Sequence, residues 1–350
     1  MIKQKTKNSG IFLILVGLLL LVVALNLSLG SVRIPLSEIF KALTGQPGIK
    51  DSWVYIVNNY RLPKIITAIL AGMALSAAGL QMQTIFRNPL ADPYILGINS
   101  GASLGVAIAV MGSSLAGGLF IPSLSIGGDL GLVGAASLGA GAVMGLILLV
   151  GRRVQNPTTL LILGLMFGLA TGALVSLLIY FSEPEKVKAY SIWSYGAFNG
   201  VTWQQLKVLL PVVLFALGLL AFLPKGLNAL LLGEDYAKTM GLNVSRLRFL
   251  ILVSSSVLSG AVTAFCGPIG FIGVAVPHIA RNVFKTSNHK LLIPAVILIG
   301  AIVAVSADLV AQMPDNQFVL PINVVTSLFG APFVLWIVLK RNRGSTSFNV

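Results

Sequence analysis

LLLGEDYAKTMGLNVSRLR, residues 230–248, is a polar island set between long apolar runs. Glu234 and Asp235 suit the first turn of a short helix and Lys238 its last turn, because the helix dipole favours anions at its start and cations at its end. Gly241 can adopt the left-handed backbone conformation that stops a helix. Asn243 or Ser245 can cap the helix that follows, with Arg246 and Arg248 in its opening turns. The pattern predicts helix, glycine turn, helix. Two readings stay open: a solvated amphipathic loop at a membrane surface, or a docking element for a soluble partner on the cytoplasmic side.

The flanking runs set the class of the protein. The chain has 350 residues, 56% of them hydrophobic and only 10% charged, with a mean hydropathy of +0.93. A soluble chain of this length would leave far more charge for its exterior, so the composition predicts a polytopic helical membrane protein. The net charge of +14 does not point to nucleic acid, because the basic residues flank apolar runs and do not cluster on a polar domain. A single cysteine, Cys266, excludes an intramolecular disulfide and a cysteine-cluster metal site. Its apolar surroundings predict an inert packed thiol.

Ten apolar spans follow from the hydropathy pattern, at about residues 11–29, 63–82, 94–111, 130–150, 157–181, 206–223, 249–265, 274–284, 291–310 and 320–339. The first resembles a signal peptide behind Lys3, Lys5 and Lys7, but it is too long for one and lacks a clean cleavage site. Pro89 and Pro93 forbid regular helix between spans two and three. Gly97, Gly101 and Gly105 predict a thin face where another helix can approach closely. Residues 31–60 read as an outer loop or interfacial helix and residues 182–203 as the longest outer loop, where Tyr190, Trp193, Tyr195 and Trp203 form an interfacial aromatic belt or line an external mouth. Residues 113–128 read as a further outer loop, and Arg152 with Arg153 as an inside marker. An even span number puts both termini on one face; with that face inside, sixteen of the 24 Lys and Arg fall inside with three of the ten acids, as the positive-inside rule requires.

Little here predicts an active site. There is no P-loop run. His278 and His289 lack a neighbouring carboxylate or second histidine, and a structural hydrogen bond is the expected role of His278. A secondary carrier is the different-class alternative, but apart from Asp308 the spans lack the intramembrane acid that ion coupling uses. Asp308 lies near the outer end of its span, where snorkelling or a local partner would satisfy it. SAAGLQMQTIFRNP and SGAVTAFCGP close spans two and seven, which run in opposite directions, and this hints at an inverted repeat.

Several ordered motifs carry a resemblance over residues 61–340. They are RLPK from Arg61, RNPLADPYILGINSGASLG from Arg87, LGEDYAKTMGLNV from Leu232 and GPIGFIGVAVPHIAR from Gly267, with SAD at 306–308 and LPINVVTSLFGAPFVLWIVLK from Leu320. The chain resembles the FecCD-type permease subunits of ABC importers for iron-siderophores, haem and vitamin B12. The resemblance implies a single all-α permease domain over 1–350 with ten transmembrane helices, the type II importer architecture, inverted-repeat character and a bacterial cytoplasmic-membrane location. It also implies a homodimer around a translocation path, two cytoplasmic ATPase subunits that hold ATP and Mg, and an outer substrate-binding protein. No cofactor, metal or nucleic acid is expected on this chain, and no catalysis. The loop at about 228–248 becomes the ATPase coupling loop, with Glu234, Asp235, Lys238 and Gly241 in contact. Pro157, Thr158 and Thr159 fall at the cytoplasmic gate. Arg61 and Lys64 match two binding-protein docking positions, while a third, often arginine, is Gln312 here. A ferric siderophore is the expected substrate, with vitamin B12 or haem the alternative.

Overall fold

The computed structural model describes residues 2–115, 129–151, 157–312 and 319–345, and their regular structure is helical throughout. The first half runs through α1 (Ile2–Ser28), α2 (Leu36–Thr44), α3 (Asp51–Ile56), α4 (Leu62–Ile85), α5 (Ile98–Leu115), α6 (Asp129–Gly151) and α7 (Pro157–Tyr180). The second half holds α8 (Pro184–Ser194), α9 (Trp203–Ala221), α10 (Pro224–Leu232), α11 (Glu234–Thr239), α12 (Val244–Cys266), α13 (Ile272–Phe284), α14 (His289–Ala311) and α15 (Ile322–Ser345). Among the described residues, seven helical stretches are long and apolar enough to cross a membrane, and Ile98–Gly112 and Ile322–Trp336 are shorter apolar helices. The chain is an all-α, multi-pass membrane protein.

α4 forms the axis of the bundle. The span that contains it is 83% buried, against 17% for α1 and 22% for α7, so α1 and α7 lie at the periphery. Lipid tails are as apolar as leucine, so helices in a membrane associate through close packing and polar contacts, with little hydrophobic drive. The sequence of α4 supplies that packing with Ala68, Ala71, Ala74, Ala77 and Ala78, all fully buried. Two glycine pairs bring backbones together. A Cβ on Gly79 would lie 1.9 Å from the Gly273 carbonyl oxygen, and one on Gly72 would lie 2.1 Å from that of Gly300. These contacts seat α13 and α14 against α4. Buried hydroxyls add polar ties: Ser76 Oγ donates to the Val296 carbonyl at 2.8 Å and Ser255 Oγ to that of Ala78 at 3.3 Å.

The glycine face foreseen at 97, 101 and 105 divides in two. Gly101 and Gly105 do meet α6, where an added Cβ would lie 2.5 Å from the Gly139 oxygen and 2.1 Å from that of Ala135. Gly97 is instead a joint at φ +73°, set against Gly164 of α7. The third span therefore starts at Ile98 and not near Tyr94. Pro93–Leu96 form a separate 3₁₀ turn, because Asp92 Oδ1 accepts the Tyr94 amide and Gly97 then reverses the backbone. Cys266 is free and buried, as expected.

The outer segments hold regular structure, and for residues 31–60 it is helical, one of the two readings the sequence left open. Residues 31–60 fold into α2 and α3 over a small core of Ile34, Ile39, Ala42 and Val57, and a π turn at Val57–Arg61 runs straight into α4. The segment at 182–203 contains α8. Beyond the sixth span, α10 precedes the expected short helix, so two helices stand where one was foreseen. The bulk of the predicted outer loop at 113–128 and Arg152 and Arg153 lie outside the described residues, as do the side chains of Pro157, Lys340, Arg341 and Arg343.

Candidate functional site

The polar island folds as its residues dictate. Glu234 and Asp235 open α11, and Lys238 Nζ lies 3.0 Å from Asp235 Oδ1 across one turn. The Gly241 amide donates to the Lys238 carbonyl and the Leu242 amide to that of Ala237, a Schellman stop with Gly241 at φ +79°. Of the two possible caps, Asn243 takes the role, its Oδ1 accepting the Arg246 amide at 3.0 Å. Buried Ala237 anchors α11 from below, while Asp235, Tyr236, Lys238 and Met240 are exposed. Glu234 does not join that exposed set: it forms an ion pair with Arg248, fastening α11 to α12.

The base of this element is tied to α4. Arg87, at a positive φ of 45° just past α4, donates from Nε to the Leu230 carbonyl at 3.3 Å. His289 makes a second tie. Its Nε2 lies 2.8 Å from Thr84 Oγ1 of α4, and its Nδ1 lies 2.8 Å from Asn228 Oδ1 of α10. The sequence showed His289 without a partner of its own kind; hydroxyl and amide partners far along the chain carry no sequence signal. A cleft of about 500 Å³ beside α11 is lined by Arg87, Thr158, Glu234 and Asp235. The fold thus brings predicted gate residue Thr158 together with two of the predicted coupling residues, although at least 76 positions separate them. Thr159 is exposed beside it at the start of α7.

The RNPLADPY and GPIGFIGVAVPHIAR motifs pack on one another. His278 Nε2 lies 2.9 Å from the Pro89 carbonyl, the structural bond expected of it. Arg281 donates to Gln83 Oε1 at 2.6 Å. The Tyr94 hydroxyl accepts from Thr263 Oγ1 and from the Ile269 amide, each at 3.3 Å. Burial pushes the Asp92 carboxyl up to about 6, with the Tyr94 amide pulling the other way. These residues hold the joint between spans; none is arranged as a nucleophile with its base.

The opposite end of the bundle gathers Arg61, Lys64 and Gln312, which are 6%, 8% and 8% exposed. Lys64 Nζ lies 3.0 Å from Asp308 Oδ2, and Asn26 Nδ2 and Gln312 Nε2 donate to the same oxygen at 2.8 and 2.7 Å. Of the two ways to satisfy Asp308, snorkelling or a local partner, the structure shows the partner. Arg61 is turned inward, donating to the carbonyls of Leu27 and Val32. All four residues line a pocket of about 460 Å³, together with Tyr60, Tyr195 and Asn199. The three predicted docking residues do come together, at a pocket wall and not on a projecting charged surface. Asn26, from α1, is a member of this cluster that sequence reasoning missed.

A sequence model of the FecCD transport family matches residues 18–340. The chain belongs to the FecCD transport family. This FecCD chain is 36% identical over 327 residues to the hemin transport system permease HmuU of Yersinia pestis, covering 92% of the chain and 94% of HmuU. It is 37% identical over 288 residues to the vitamin B12 import system permease BtuC of Klebsiella pneumoniae, covering 81% and 82%. It is 34% identical over 358 residues to the ABC transporter permease YvrB of Bacillus subtilis, covering 99% and 98%. Its fold matches a structure assigned to the metal-chelate type of ABC transporter in an inward-facing conformation. The TM-score is 0.82 at 29% identity, over 95% of this chain and 99% of that one. The FecCD chain is an ABC-transporter permease.

Proposed function

We propose that this permease forms half of the translocation path of an importer for a metal chelate of the tetrapyrrole class, haem or cobalamin, delivered by a substrate-binding protein. The observation that carries the substrate is the 36–37% identity to permeases named for hemin and vitamin B12 over more than four fifths of the chain. A ferric siderophore, the expectation from resemblance alone, becomes the second reading. In this proposal ten helices span the membrane with inverted-repeat character, and both termini are cytoplasmic. Two copies pair with α7 facing the path, and Pro157, Thr158 and Thr159 form its inner gate. Two ATPase subunits, which bind ATP and Mg, dock on the exposed face of α11 and the adjacent cleft. Asp235 and Lys238 offer them polar contacts, while Glu234 and Gly241 keep α11 in place. The binding protein docks at the other end. The role of Arg61, Lys64 and Gln312 there runs through the pocket they wall, which a partner side chain must enter to reach them.

Uptake into vesicles that contain the chain, its ATPase and its binding protein tests the proposal. Labelled haem, cobalamin and ferric siderophore are offered side by side. ATP-dependent uptake of haem or cobalamin is the expected result. ATP-dependent uptake of the siderophore alone would reassign the substrate, and uptake driven by a proton gradient without ATP would overturn the importer reading.

The coupling role has its own test. Forcing a side chain with a Cβ into the left-handed region costs about 1–2 kcal/mol, whereas asparagine tolerates it. No atom lies within 4 Å of a Cβ placed on Gly241, so the effect there is backbone strain and not a clash. Gly241→Val should cut uptake per ATP hydrolysed by at least severalfold, and Gly241→Asn should retain most of it. Equal coupling in the two variants would remove the turn from the mechanism.

A further inference from the structure

α2 carries an apolar face that the fold leaves bare. Leu36, Phe40 and Leu43 recur at helical spacing and are 54%, 62% and 46% exposed, while Ile39 and Ala42 point into the small core shared with Val57. At 3.6 residues per turn, the bare face lies to one side of the buried one and opposite Glu38 and Lys41, whose carboxylate and ammonium pair at 2.8 Å. The helix therefore has three faces: one packed on protein, one apolar and open, one charged. That division is the pattern of a helix lying in a bilayer interface, with its apolar side in the acyl boundary and its charges in water.

Its surroundings name the same occupant. α2 rests against the last turn of α1 through Leu27, and α1 is the peripheral span, with Leu21 and Leu25 exposed. The open face of α2 thus begins beside the lipid-facing surface of α1. Exposed aromatic residues stand in the segment that follows α2, where the rings of Tyr55 and Tyr60 lie 5.7 Å apart. Trp203 donates to the Asn58 carbonyl at 2.8 Å, and Lys50 Nζ sits 4.9 Å from the Trp53 ring centre. Tyrosine, tryptophan and lysine at the end of a span are the residues that settle at the headgroup level.

We propose that α2 is an interfacial membrane anchor, with Leu36, Phe40 and Leu43 inserted into the leaflet at the end of the bundle away from α11. The anchor holds the small core of α2 and α3 flat on the membrane beside the Arg61 pocket and fixes the level of that pocket relative to the bilayer. This proposal does not depend on the substrate or on ATP coupling.

Nitroxide accessibility tests it on the full chain. Phe40→Cys and Lys41→Cys, each in a Cys266→Ala background and spin-labelled, are placed in nanodiscs of phosphatidylcholine and phosphatidylglycerol, one chain per disc. Collision rates with oxygen, which partitions into lipid, and with a water-soluble nickel chelate are compared. The expected result is an oxygen-to-nickel ratio severalfold higher at position 40 than at position 41. Equal, nickel-rich values at both positions would place the helix in water and overturn the proposal. Low collision with both reagents at position 40 would mean a protein cover and overturn it equally. In pairs of chains per disc, or with binding protein added, a fall in oxygen collision at position 40 would assign the face to that partner. Phe40 is mostly exposed, so its replacement leaves the core of Ile34, Ile39, Ala42 and Val57 intact; an unchanged thermal transition checks this.

Discussion

Asp308→Ala should cost this protein about 3–5 kcal/mol, the penalty for leaving one charge of a buried pair without its partner. The side chains of Lys64 and Asp308 are 10% and 7% exposed, so water reaches the stranded ammonium only through the pocket that both residues line. Asn26 and Gln312 lose an acceptor at the same time. α1, α4 and α14 all meet at this point, and the loss should appear as a lower midpoint in reversible unfolding in lipid micelles or bicelles. The double variant Lys64→Met with Asp308→Leu should recover at least half of it, because two matched apolar side chains remove both charges together. The remaining amides keep partners: Asn26 Nδ2 also donates to the Val305 carbonyl at 3.2 Å, and Gln312 Nε2 lies 3.2 Å from Asn26 Oδ1. A single variant within about 1 kcal/mol of the parent would mean that the pair behaves like an exposed one and that this cluster is wetter than its burial shows.

Gly79→Leu should largely prevent the chain from folding. The atom it would strike is the Gly273 carbonyl oxygen, 1.9 Å from the first side-chain carbon, and a backbone atom cannot rotate away as a side chain can. Overpacking against movable neighbours costs about 1–3 kcal/mol, so a clash with backbone should exceed that range. The yield of monodisperse protein by size-exclusion chromatography should fall to a small fraction of the parent's. Gly141→Leu is the control, since no atom lies within 4 Å of a Cβ there, and its yield should match the parent. Equal yields from the two variants would show that α4 and α13 can separate without cost.

The two variants touch different kinds of information. Gly79 stands in the sequence as one glycine among 37, and the stretch SAAGLQ announces small residues without naming the helix that will press on them. Gly101 and Gly105 were legible because their four-residue spacing is itself the motif. Gly72 and Gly79 are seven apart, and their partners Gly300 and Gly273 lie about two hundred positions away. The same distance hid the outer cluster. Arg61 and Lys64 match docking positions for a binding protein, yet Arg61 turns onto the carbonyls of Leu27 and Val32 and α14 supplies Asp308 to Lys64.

What the sequence determined by itself is local or compositional. Its hydropathy and scarcity of charge made it a multi-pass helical membrane protein, since apolar length and charge alone govern whether a segment can remain in lipid. Its polar island specified a short helix, a stop at Gly241 and a cap at Asn243 or Ser245, because those choices depend on backbone dihedrals and hydrogen bonds within a few residues. Only the tertiary structure decided that α4 is the axis and that Thr158 meets Glu234 and Asp235 in one cleft. It alone decided that Lys64 and Asp308 neutralise one another and that α2 keeps an apolar face open. Each of these is a contact between segments far apart in the chain. In a membrane such contacts are selected by close packing and polar partnership between helices, and a single helix's sequence does not contain the surface it will meet.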